Sequence, residues 1–410
     1  MAVCAVRAGL LSSLRRGGGG VGGAFLSPLK NNNNNVLLRP LAAAGIMSKA
    51  MRPKDYTRPP PFPYKEHTYG FFQSLIDGTT HRLDDNSKII VVDGPIAVGK
   101  TKFAKEIAEE LDMLYIPQAS MDMVYINHYG HDFRQMDKDL PPTVQSFDER
   151  DFLRHPNHGN VAGFQMAMFN IRLEQYINAL AHLLSTGQGI VMEGSIYSDF
   201  VYVEAMTRCG YISKQVKDYY YECRQMTVPE LMRPHLVIYL DCPVDVVLQR
   251  IKARALPHET NSPALTPQFL THMDNIYKQQ HLKQISTHAE LLIYDWSGEG
   301  EPEVVVEDIE RIDFSIDTHS SKFEDWQLKN EDEWGEQRCM YTKRAYQIMH
   351  WAAVPRFNVP ELLINADDYK VYEEVYYSAP GNKYAPGFNA EMGDQFILGK
   401  TKSEARTTNV

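Results

Sequence analysis

The chain has 410 residues, with 42 Lys+Arg against 52 Asp+Glu, a formal net charge of -10, and 43% hydrophobic and 23% charged residues. Those fractions describe an ordinary globular protein and exclude fibrous, collagenous and disordered classes. The charge is uneven: residues 1–54 carry eight basic residues and no carboxylate, so 55–410 holds 34 basic against 52 acidic residues, a net of -18. A body that acidic is not a general nucleic-acid binder, because phosphate contacts need a basic surface.

In chain order, residues 1–54 mix Arg, Ala, Leu, Ser and Gly without a carboxylate, the composition of a mitochondrial presequence, expected to occupy about 1–35 with its cut site open. Arg7, Arg15, Arg16 and the run Gly17 to Gly20 break up its apolar stretches, so it lacks the continuous apolar region of a secretory signal. No window offers about 18 uninterrupted apolar residues, and no direct membrane span is expected. Cys4, Cys209, Cys223, Cys242 and Cys339 show no CxxC spacing, which argues against a zinc module, a disulfide scaffold or an iron–sulfur site. Residues 36–87 form a lead-in made stiff and extended by Pro53, Pro59, Pro60, Pro61 and Pro63.

From Lys88 to about residue 314, short β-rich runs alternate with longer helical ones: Ile89–Asp93 then Lys102–Met113, Gly189–Glu193 after Phe164–Leu184, Leu236–Asp241 then Val244–Ala255, and Leu291–Asp295 then Glu303–Ile312. Apolar strands separated by amphipathic helices predict an α/β domain whose parallel sheet is covered on both faces. Residues 315–410 begin polar, include Trp326, Trp334 and Trp351, and end in a stretch with Tyr369, Tyr372, Tyr376, Tyr377 and Tyr384. Such an aromatic-rich C-terminal extension either lies across another surface as an interaction segment or packs on its own domain.

The strongest chemical signal follows the first strand. Gly94, Pro95, Ile96, Ala97, Val98, Gly99, Lys100 and Thr101 spell GxxxxGK[ST], with a strand before and a helix after. The glycines permit the torsions that turn successive N–H groups around phosphate oxygens, and Lys100 adds charge. The helix N-terminus adds its dipole, and the Thr101 hydroxyl is placed to ligand Mg²⁺. Gln165 and Arg172, seven residues apart on one predicted helix, share a face. Arg250 and Arg254 share another, which the residues alone would read as a solvated face.

With these motifs the sequence resembles the deoxynucleoside kinase family. The resemblance implies a P-loop fold, a five-stranded parallel sheet flanked by helices, a nucleoside pocket and a lid over the donor phosphates. It makes Gly94, Ala97, Val98, Gly99, Lys100, Thr101, Arg250 and Arg254 nucleotide-binding residues, and Gln165, Arg172, Asp199 and Glu259 nucleoside-pocket residues. Thr101 and Glu193 become the metal ligands, for Mg²⁺. It also exposes departures: Gln118 stands at the general-base position, where a carboxamide cannot take up a proton, so no catalytic residue is assigned. Gly194, Phe200 and Leu256 stand where the family places arginines.

The degenerate motifs, presequence and aromatic extension together resemble the kinase-fold accessory subunits of mitochondrial NADH:ubiquinone oxidoreductase, complex I. That resemblance implies a non-catalytic subunit, peripheral on the matrix side of the inner membrane, with other complex I subunits and a small-molecule nucleotide (ATP or a deoxynucleotide) as partners. The alternative is an active mitochondrial deoxynucleoside kinase using Mg-ATP, with a carboxylate such as Asp122 replacing the base. Binding of FAD rests only on association with an NADH oxidoreductase, since no GxGxxG follows a strand.

Overall fold

A computed structural model describes residues 45–53, 56–298, 300–315, 321–395 and 397. The presequence expected over 1–35, with Cys4, lies outside the described residues, as do 36–44 and the end of the chain after 397.

Five strands form one parallel sheet: β1 Ile89–Asp93, β2 Leu114–Ile116, β3 Ile190–Glu193, β4 Leu236–Asp241 and β5 Glu290–Asp295, ordered β2-β3-β1-β4-β5. The four apolar runs that the sequence shows as strands are β1, β3, β4 and β5, and the short β2 joins them at one edge. Helices cover both faces, and every residue of β1 and β3 is buried, whereas the edge strands β2 and β5 are only partly so. β1 pairs Val91 with Met192 of β3 on one side and with Val237 of β4 on the other. The chain therefore leaves β1 where the strand order reverses, and in such sheets ligands bind outside the carboxyl ends of the strands at that point.

Helix Lys100–Glu110 follows β1 and buries Phe103, Ala104, Ile107 and Ala108. The long helix Val161–Thr186 is buried along most of its length and ends at Gly187, φ +74, where an added Cβ would stand 2.0 Å from the Arg82 carbonyl oxygen. Only glycine closes this helix there, because the left-handed torsion and the close backbone approach both exclude a side chain.

The flanking segments are built into the same core. The lead-in carries a helix, Phe71–Ile76, where an extended chain was expected. Helix Glu331–Thr342, in the expected extension, buries Trp334, Arg338 and Tyr341. Arg338, 0% exposed, donates to Asp77 Oδ2 at 2.9 Å and to Ser185 Oγ at 3.3 Å, and lies 3.7 Å over the Tyr69 ring. One side chain thus ties lead-in, long helix and extension together, and the described residues form a single compact unit. Further along the extension lies helix Ala366–Ser378, whose Tyr372 and Tyr376 close on Phe133, ring centroids 5.6 and 5.4 Å away. Among the described residues no helix is long and apolar enough to cross a membrane.

Candidate functional site: a P-loop cavity

A cavity of about 270 Å³ opens at the carboxyl ends of β1, β2 and β3. Its wall includes Ala97, Gly99, Lys100, Thr101, Gln118, Gln165, Arg172, Glu193, Arg254 and Glu259, so ten of the residues singled out in the sequence converge on one space.

The P-loop forms the floor. Gly94 has φ +154, and a Cβ there would lie 2.8 Å from the Leu240 carbonyl oxygen, so the turn out of β1 runs against β4 with no room for a side chain. Val98 is buried under the loop, and Gly94 and Val98 shape the cradle without lining the cavity. Ala97 has φ +60 and Gly99 φ +99, left-handed torsions that turn the loop toward the helix. Lys100 Nζ folds back on the loop, donating to the Gly94 oxygen at 3.0 Å and the Pro95 oxygen at 2.7 Å. Burial lowers its pKa from 10.5 to about 8, although Asp93 and Glu193 pull the other way. An arriving phosphate would supply the missing counter-charge.

Glu193, at the end of β3, accepts from the Thr101 hydroxyl at 2.9 Å and, on its other oxygen, from the Tyr115 hydroxyl. Burial and this bond push the Tyr115 phenol up. Tyr115 is a site residue that the sequence reading did not single out; its only signal is a phenol two residues ahead of Pro117 on a short strand. Thr101 and Glu193 present hard oxygens side by side, a donor set that suits Mg²⁺. Among the described residues, no cluster of three or more His, Cys, Asp or Glu could hold a metal by itself.

The residues expected to hold a nucleoside form a buried polar cluster. Asp199, 0% exposed, pairs with Arg172, and Gln165 Nε2 lies 3.4 Å from both of its oxygens. Arg172 also lies 4.9 Å over the Tyr202 ring. Burial opposes its charge, Asp199 together with Tyr202 and Tyr277 more than offsets that, and its pKa is raised. Asp199 stands behind Arg172 and off the cavity wall. Phe152 and Phe164, stacked at 5.8 Å, complete an apolar wall on which a base could stack.

The two lid arginines part company. Arg254 reaches the cavity and forms a fork with Glu259, at 2.9, 2.6 and 2.5 Å. Arg250 does not line the cavity: its guanidinium donates to the backbone oxygens of Val98, Trp296, Ser297 and Gly298. Where the resemblance implied a phosphate ligand, Arg250 fastens the underside of the P-loop to the loop after β5. Asp122, the suggested substitute base, also lies off the cavity wall and pairs with Arg134 at 2.7 Å. Gln118 is on the wall, exposed, and makes no side-chain hydrogen bond among the described residues. At Gly194 the backbone has φ +66, so an arginine restored there would be strained.

A phosphate cradle at the switch point of a parallel sheet, leading into a polar pocket with an aromatic wall, defines a P-loop nucleotide-binding protein of nucleoside-kinase type. The family profile for deoxynucleoside kinases matches residues 90–325. The NADH dehydrogenase [ubiquinone] 1 alpha subcomplex subunit 10, mitochondrial, of Mus musculus is 39% identical over 333 residues, 80% of this chain and 89% of that protein. The deoxyguanosine kinase of Dictyostelium discoideum is 25% identical over 236 residues, 58% of this chain and 73% of that one. A solved deoxyadenosine kinase from M. mycoides with bound dATP is 16% identical with a TM-score of 0.41, covering 54% of this chain and 98% of its own. The chain belongs to the deoxynucleoside kinase family, and within it to the group of the alpha subcomplex subunit 10 proteins.

Proposed function

We propose that the protein is an accessory subunit of mitochondrial NADH:ubiquinone oxidoreductase, a kinase fold that keeps a nucleotide pocket as a structural element and contributes no catalysis of its own. In this reading it lies peripherally on the matrix side of the inner membrane, and its partners are other subunits of the complex. The observation that carries the reading is the division within one cavity. Lys100, Thr101, Gln165 and Arg172 converge on it, whereas the base position is Gln118. Loss of a positioned general base costs about 10²–10⁴-fold in rate. Gly194 and Phe200 further remove cations that would offset charge developing in phosphoryl transfer.

Binding without turnover still has a purpose, because a ligand bound only by the folded form stabilises it by RT ln(1+[L]/Kd). The bound nucleotide, a ribo- or deoxynucleoside phosphate, would lie with its phosphates on the P-loop and its base toward Gln165 and Arg172. Thr101 and Glu193 are the residues that would hold Mg²⁺, which would offset phosphate charge. The test is extraction of the ligand from the native complex and its identification by mass spectrometry. A nucleoside phosphate lost on Lys100→Ala, together with failing assembly, supports the reading; a flavin or no ligand refutes the pocket.

An active deoxynucleoside kinase is the second reading, favoured by the carboxylates of Glu149 and Glu193 on the cavity wall. It requires phosphoryl transfer to deoxynucleosides at ordinary kinase rates by the purified protein. A large gain with Gln118→Glu would mark a decayed kinase site, and no gain would place the base elsewhere or exclude the chemistry.

A further inference from the structure

One carboxylate on the cavity wall is accounted for neither by the P-loop motif nor by the nucleoside-pocket residues. Glu149 opens the short helix Glu149–Arg154, which Asp148 caps by accepting from the Arg150 and Asp151 amides at 2.8 and 3.1 Å. The other acids of the pocket are engaged on the protein side: Glu193 by Thr101 and Tyr115, Asp199 by Arg172 and Gln165, Glu259 by Arg254. Glu149 differs. Among the described residues it accepts one hydrogen bond, from the Met121 amide to Oε1 at 2.8 Å, and its other oxygen has no protein donor.

Its position is fixed from two directions. Met121 belongs to the loop after β2 that also carries Gln118, so Glu149 is tied to that loop. On the other side, Arg134 bridges Asp122 at 2.7 Å and the capping Asp148 at 3.4 Å. The Tyr125 hydroxyl accepts from the Phe147 amide at 2.9 Å. Residues 122–148 are in turn clasped by residues 368–382: Asn127 Nδ2 donates to the Pro380 oxygen and to Asn382 Oδ1, both at 2.8 Å, and Thr143 Oγ1 donates to Asp368 Oδ2 at 2.7 Å. An acid held this firmly, with one oxygen left open on a cavity wall, is arranged to accept a hydrogen bond from a ligand. A phosphate carries no donor and would be repelled. Gln165 and Arg172 already stand at the base end, which leaves the hydroxyl of the sugar.

We propose that Glu149 is a specificity-determining residue whose free carboxylate oxygen accepts a hydrogen bond from the sugar hydroxyl of the bound nucleotide. The assignment rests on the nucleotide-pocket reading above. It is tested on the full chain by calorimetry with dATP, dGTP, dCTP and dTTP and with their 2′,3′-dideoxy counterparts, which lack the hydroxyl. For the deoxynucleotide that binds, the wild type should prefer the hydroxyl-bearing form about tenfold, the lower end of what a hydrogen bond to a charged group contributes.

Glu149→Leu should bring the two forms within about twofold of each other, whereas Lys100→Ala should weaken both alike and leave their ratio in place. If Glu149→Leu does not fold, Glu149→Gln, whose amide oxygen can keep the Met121 bond, should still cut the ratio about threefold. A ratio unchanged in a folded Glu149 variant overturns the assignment. A wild type that binds none of these nucleotides overturns the pocket reading beneath it instead.

Discussion

Replacing Arg172 with Met keeps the length of the side chain and removes its charge from a pair in which Asp199 is 0% exposed and Arg172 only 9%. What remains beside the carboxylate is Gln165 Nε2 at 3.4 Å, a long contact, and the buried Tyr220 hydroxyl; neither carries a charge that could substitute for a guanidinium. Removing one partner of a buried pair costs about 3–5 kcal/mol, because the other charge is left uncompensated. With an unfolding entropy of about 2.1 cal/mol/K per residue, a unit the size of Ala43–Val410 should melt roughly 4–6 °C lower. The double variant Arg172→Met/Asp199→Asn removes the stranded charge and should recover more than half of the loss. Urea titration followed by circular dichroism without nucleotide measures both. A single variant within about 1 kcal/mol of wild type, or a double variant no better than the single, would refute the view that this pair is a closed buried cluster.

Lys100 carries a pH signature. Its folded-state pKa is lowered from 10.5 to about 8, so between those values the unfolded chain binds more protons and stability should rise with pH across that window. Nucleotide affinity should move the other way, falling as pH climbs from 7 through 9 and the ammonium is lost; melts and binding isotherms of Lys100→Met should lack both slopes. Gly187→Ala places a methyl 2.0 Å from the Arg82 carbonyl oxygen at φ +74, and denaturant midpoints should show a loss of about 3 kcal/mol or more. Phe133→Ala empties a small satellite core shared with Leu140 and Ala379, at a cost of roughly 3 kcal/mol. Limited proteolysis should then cut within helix Ala366–Ser378 while the far-ultraviolet spectrum of the sheet is kept.

The P-loop and four of the five strands were legible because their signals are local, whereas the three-residue β2 offered no run of its own. Ile89–Val92 is a continuous apolar run followed by Asp93 and a glycine, and the structure has β1 over Ile89–Asp93. The convergence of Gln165 and Arg172 followed from helical spacing alone. The fate of Arg250 was not legible: a sequence shows an arginine on a helix face, and only the fold brings four backbone oxygens to it. Tyr115 and Glu149 escaped for the same reason, since each acts on a partner 78 or 28 residues away. The helix Ala366–Ser378 was missed where Tyr369, Tyr372 and Tyr376 recur at three- and four-residue intervals. That is helical periodicity written mostly in tyrosine, and a stretch whose only branched aliphatic residues are Val371 and Val375 does not look amphipathic at first reading.

Arg338 joins Asp77 across 261 residues of sequence. Closing so long a loop costs entropy before any contact repays it, so the last stages of folding must wait for both ends of the core to be present. Until then the Ser185 side of the long helix, Tyr69 and Trp334 face water, and a fragment trimmed to the strands and their helices would expose the same apolar surface permanently. The sheet is therefore not an autonomous enzyme module with appendages. Newly made chains should depend on chaperones until residue 342 is in place, and substitutions in helix Glu331–Thr342 should behave in folding experiments as lesions of the nucleotide fold itself.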